Sequence, residues 1–161
     1  MNRNHRWLPL AVCVTAASVL NLVISPEFAS RSFRPNVGLC ALLVCCLFVG
    51  PNTASALGFW AGLLEASFTA TDIGSLIVSR TVAGFGVGIL EERIFRDHVL
   101  VAVAAAFLGT LGAEGCFFLF APQAHVGVWA AATAGEATAN ALFAVPMYYG
   151  VRWACRAGSI R

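Results

Sequence analysis

Apolar positions fall into six runs, at residues 8–24, 35–50, 52–67, 72–90, 99–120 and 128–150, separated by short polar breaks. Runs of about 17–25 apolar residues are long enough to cross a bilayer as helices. The pattern predicts an all-α, polytopic membrane protein with six transmembrane helices, forming a single integral membrane domain over residues 1–161. The third run is short and glycine-rich and is expected to lean on its neighbours. The breaks are short, so successive helices should run antiparallel. Pro35 opens the second run, and proline suits the first turn of a helix because its missing N–H is not needed there. Asp72 follows Thr71 at the start of the fourth, where a carboxylate favours the positive end of the helix dipole. The first run also resembles a signal-peptide core, with Phe28-Ala29-Ser30 near a cleavage site. Its length and the five runs after it favour an uncleaved span.

Residues 58–97 organise this pattern. They carry two GxxxG motifs, Gly58/Gly62 and Gly84/Gly88. Small residues four apart let two helix backbones approach closely in lipid, so these glycines are read as helix-packing positions. The same segment holds Arg80 in the middle of an apolar run. A charge at that depth costs roughly 2.5–3.5 kcal/mol on insertion scales, so it should face a partner or a wet cavity.

Composition agrees. Apolar residues make up 59% of the chain and charged residues only 11%, against about 25% charged in a soluble domain. All basic side chains are arginine, and the formal net charge of +2 is too small to imply nucleic acid. Apart from Arg80, the arginines sit at span ends, which bears on orientation. With the N-terminus inside, inner segments hold Arg3, Arg6, Arg93, Arg96, Arg152, Arg156 and Arg161, and outer loops hold Arg31 and Arg34. This asymmetry predicts both termini in the cytoplasm.

Four ionisable residues fall within or at the edge of spans: Glu65, Arg80, Glu114 and Glu136. At a rise of 1.5 Å per residue, Arg80 and Glu136 lie about 12 Å from the outer surface and Glu114 about 9 Å. Glu65 lies near the outer end of the third span. The four therefore occupy the outer half of the bilayer, and two readings follow: an internal ion pair that fixes helix packing, or a ligand or ion site open to the outside. Equal depth suggests Arg80 paired with Glu136, and with Glu114 second. One arginine cannot neutralise three carboxylates, so one or more is uncharged, or another cation or water takes part. Asn140 lies one turn from Glu136 on the same face. With Thr133 they form a polar stripe on the last helix.

The chain lacks HExxH, GxSxG, paired aspartates at protease spacing and a P-loop, so no catalytic residue is assigned. His5, His98 and His125 lie in terminal or loop positions. The six cysteines, Cys13, Cys40, Cys45, Cys46, Cys116 and Cys155, have no CxxC or Cys/His spacing, so neither a disulfide framework nor a metal site is expected. No cofactor is implied.

Several short motifs resemble the rod shape-determining protein MreD family: Phe33-Arg34-Pro35-Asn36 opening the second span, Gly58-Phe59-x-x-Gly62 followed by Ile73-Gly74, and Ile94-Phe95-Arg96-Asp97 in the charged inner loop. The Glu114 and Asn140 positions and the basic tail also fit. One departure stands out. Where the family usually carries an aspartate, this chain has Ala66, with Glu65 beside it, a shift that turns the carboxylate by about 100° around a helix. The resemblance implies a non-enzymatic inner-membrane component of the bacterial elongation machinery. Its implied partners are an MreC-like single-span protein, the MreB filament, and a RodA glycosyltransferase with its transpeptidase. It also implies a fold similar to the substrate-binding subunit of energy-coupling-factor transporters. That similarity supplies an alternative function, binding a small or lipid-like ligand in an outward-facing pocket.

Overall fold

A computed structural model describes residues 7–24, 34–69, 72–93 and 98–157. These form six helices: α1 (Trp7–Ile24), α2 (Val37–Cys46), α3 (Pro51–Thr69), α4 (Ile73–Arg93), α5 (Val99–Phe120) and α6 (Val126–Ala157). There is no strand among the described residues. Several residues used above lie outside them: Arg3, His5, Arg6, Phe28-Ala29-Ser30, Arg31, Phe33, Thr71, Ile94 to Asp97 and Arg161.

Two helices are long and apolar enough to cross a membrane, α4 over Ile73–Leu90 and α5 over Val99–Phe120. Only 33% and 28% of these stretches are buried inside the molecule, so much of an apolar surface faces outward. Exposed large apolar side chains occur on α1, α3 and α6 as well. That is the surface expected where lipid replaces water around a helix bundle.

α2 is the hub. All ten of its residues are buried, and it packs against each of the other five helices. A helix apolar all round is a buried one, and VGLCALLVCC contains no charged or amide side chain. The helix is shorter than its apolar run. Pro35 is not in its first turn, because Asn36 is the N-cap and accepts a hydrogen bond from the Leu39 N–H. The chain leaves α2 through i→i−3 bonds from Leu47 to Val44 and Phe48 to Cys45, the tight geometry common at helix ends. Pro51 then starts α3, where it needs no N–H donor.

α3 and α4 form the most intimate pair. Pro51 and Ala54 lie against Gly88, Ala54 against Gly84, Gly58 against the Arg80 backbone, and Gly62 against Leu76 and Ile77. A Cβ built on Gly62 would sit 2.7 Å from Ile77 Cα, and one on Gly84 would sit 2.6 Å from the Ala54 carbonyl oxygen. No side chain fits there, so the two backbones stay close for about three turns. Asp72, the residue before α4, has a left-handed φ of 51°. Aspartate tolerates this conformation better than most residues. Its carbonyl accepts the Leu76 N–H, while its side chain is exposed.

α6 runs well past the predicted end at residue 150. Pro146 lies inside it, and the helix continues to Ala157 through the start of the basic tail. Val151 is buried, and Arg152 donates to the Tyr148 hydroxyl at 3.2 Å one turn away. Near the start of α6, Trp129 stacks on Phe118 of α5 at 4.4 Å and closes that hairpin.

Candidate functional site

Arg80 is the centre of a polar cluster at one end of the bundle. Its side chain is 3% exposed, against 24% for Glu65 and 14% for Glu114. Its Nε donates to Glu65 Oε2 at 2.8 Å and its Nη2 to Glu65 Oε1 at 3.1 Å. Its Nη1 donates to Glu114 Oε1 at 2.9 Å. The pair with Glu65 is thus bidentate, the strong form of an arginine–carboxylate contact.

Local geometry explains the match. Gly58, Gly62 and Glu65 lie at i, i+4 and i+7 on α3, so they share the face that meets α4. Gly58 lies against the Arg80 backbone, and Glu65 is about 10 Å further along α3. Helical side chains lean toward the N-terminus of their own helix. In an antiparallel pair, therefore, Arg80 and Glu65 lean toward each other and close that gap. Ala66, at the position where a carboxylate is usual in the resembling family, is buried. Glu65 reaches the arginine from the adjacent position.

This arrangement differs from the expected pairing of Arg80 with Glu136. α4 packs closely on α3, α5 and α2, and the arginine reaches the carboxylates of two of those neighbours. Glu136 stands on α6, within electrostatic range of Glu114, Arg80 and Asn36. Its Oε1 is buried without a hydrogen-bond partner.

Asn36 and Asn140 extend the cluster into the hub. The Asn36 N–H donates to Asn140 Oδ1 at 2.9 Å, and Asn36 Nδ2 lies 3.4 Å from Glu65 Oε1. Asn140 Nδ2 donates to Thr110 Oγ1 at 3.0 Å, and the Asn140 carbonyl accepts from the Cys40 thiol. Thr110 in turn donates to the Ala106 carbonyl at 2.7 Å. The Val37 N–H donates to Asn21 Oδ1 at 3.0 Å. Of the free N–H groups that every helix leaves at its start, those of Asn36, Val37 and Leu39 at α2 are met by three asparagines. The positive end of the α2 dipole also faces the side on which carboxylates outnumber the arginine, a favourable placement.

Asn36, Asn21 and Thr110 are the members that sequence reasoning left unassigned. Thr110 carried a signal, since it lies one turn from Glu114 on the same face of α5. Thr133 is buried, whereas His98 and His125 sit at exposed loop positions away from the cluster. Among the described residues no group of His, Cys, Asp or Glu is arranged to hold a metal. A polar cavity of about 20 Å³ lies against Glu65, Arg80, Asn36 and Asn21. It has room for a single water, far short of the roughly 300–1,000 Å³ of a small-molecule site.

Comparison with models of known protein families, with curated proteins and with solved structures found no match.

Proposed function

We propose that this chain is a six-span, non-enzymatic scaffold of the bacterial cell-wall elongation machinery. It stands in the inner membrane with both termini in the cytoplasm. It supports rod shape together with an MreC-like single-span protein, a RodA-type synthase with its transpeptidase, and the MreB filament. One observation carries the reading. Residues through which the sequence resembles the MreD family converge on one place: Asn36, Gly58, Gly62, Glu114 and Asn140 all belong to the Arg80 cluster or to the helix crossing that positions it. Glu65 supplies the carboxylate next to the position where the family has one.

The chemistry of the cluster suits a scaffold. The arginine is held by two carboxylates, and the asparagines are engaged with backbone and side-chain groups. No nucleophile paired with a base stands among these residues. The alternative, a ligand-binding transporter subunit, finds no support at this site, where the cavity holds one water at most. Affinity purification in mild detergent tests the proposal. A co-purifying single-span coiled-coil protein, and loss of rod shape on depletion, are expected. An ATPase module and a retained vitamin-like molecule would replace the scaffold reading with the transporter one.

A further inference from the structure

α1 and α3 run parallel and are tied together partway along, where Trp60 Nε1 donates to Thr15 Oγ1 at 3.0 Å. Toward their N-terminal ends they diverge and leave a groove of about 810 Å³. This is some forty times the polar cavity and within the size range of small-molecule sites. The lining is graded. Trp7, Asn52 and Thr53 stand at the mouth, where both helices begin; Ala11, Ala56 and Leu57 form apolar walls; the Thr15–Trp60 bond closes the far end.

We propose that this groove binds one acyl chain of a membrane amphiphile, with the polar head at the mouth. The inference rests on the spanning reading above and does not depend on the elongation-machinery reading. Length decides the occupant. From Asn52 to Trp60 the groove covers about 12 Å of helix rise. One leaflet of a hydrocarbon core about 30 Å thick is about 15 Å deep. An acyl chain fills one leaflet and ends there, as the groove does. A transmembrane helix of a partner crosses both leaflets and would need a groove twice as long. Asn52 and Thr53 offer hydrogen-bonding groups at the mouth, the walls below are apolar, and the polar atoms of Thr15 and Trp60 at the far end are taken up by each other. Among the described residues the mouth carries no charge.

The test uses the full chain purified in detergent and titrated with palmitoyl-lysophosphatidylcholine, with bound molecules counted by native mass spectrometry. Wild type should hold one molecule. Ala56→Phe fills the groove from an exposed position and should lose it, as should Thr53→Phe at the mouth. Ala104→Phe, at an exposed position on α5, should bind like wild type. Melting curves identify any variant that fails to fold, and the other groove variant then decides. Absence of binding in wild type, binding in both groove variants equal to that of wild type, or pairing of two chains that is lost in them would overturn the proposal. A chain that stays soluble without detergent would instead sink the spanning reading. A chain that needs detergent yet holds no amphiphile sinks this inference alone.

Discussion

Arg80 holds the polar cluster together by engaging carboxylates on two neighbouring helices, α3 and α5. Removing one partner of a buried pair strands the other charge, typically at a cost of about 3–5 kcal/mol. Arg80→Ala and Glu65→Ala are therefore expected to lower the melting temperature and folded yield strongly. Glu136→Gln should be neutral or stabilising, because Arg80 is already held by Glu65 and Glu114, and Glu136 keeps a buried oxygen without a hydrogen-bond partner. Double-mutant cycles separate the pairings: Arg80 with Glu65 should be strongly non-additive, and Arg80 with Glu136 nearly additive. A larger coupling to Glu136 would contradict the observed geometry. Counting residues from span ends placed four charges at one end of the bundle, but it gave height and not direction around each helix. The choice of Glu65 over Glu136 depends on which helices are neighbours, and nothing in the separate runs encodes that.

At the scale of the helices, the α3/α4 crossing gives the sharpest contrast between glycines. Cβ atoms at Gly58, Gly62 and Gly84 would overlap the backbone of the facing helix, while Gly86 and Gly112 have open space around them. Gly62→Ala and Gly84→Ala should each destabilise by about 1–3 kcal/mol, the usual cost of overpacking. Gly86→Ala and Gly112→Ala should instead be stabilising, by up to about 0.5–1 kcal/mol, through helix propensity alone. Equal effects at both sets, read as melting temperatures, would mean that the helices do not meet through these glycines. The GxxxG spacing was legible because it is a local pattern. The central place of α2 was not. In a chain where every run is apolar, uniform apolarity does not distinguish a buried helix from a lipid-facing one. Its shortness was hidden because the flanking Pro35 and residues 47–50 continue the same apolar run. The extension of α6 was masked in a similar way, since Pro146 and Gly150 read as terminators, and the contacts of Tyr148, Val151 and Arg152 that accompany the continued helix are tertiary or one turn apart.

For the molecule as a whole, the polar cluster, the packed hub and the outward apolar faces form one design if the bundle lies in a membrane. In the proposed orientation the cluster sits toward the outer surface, enclosed by helices, and the α1/α3 groove opens toward the inner one. α6, at 32 residues, is about 48 Å long and exceeds a hydrocarbon core of about 30 Å, so its basic end stands clear of the lipid. The six-run pattern and the arginine asymmetry carry this orientation, and topology mapping tests it most directly. Reporters fused after Arg161 and inserted at residues 93–96 should read cytoplasmic, and one at 123–125 should read external. A C-terminal reporter on the outside, or a chain recovered in solution without detergent, would contradict it.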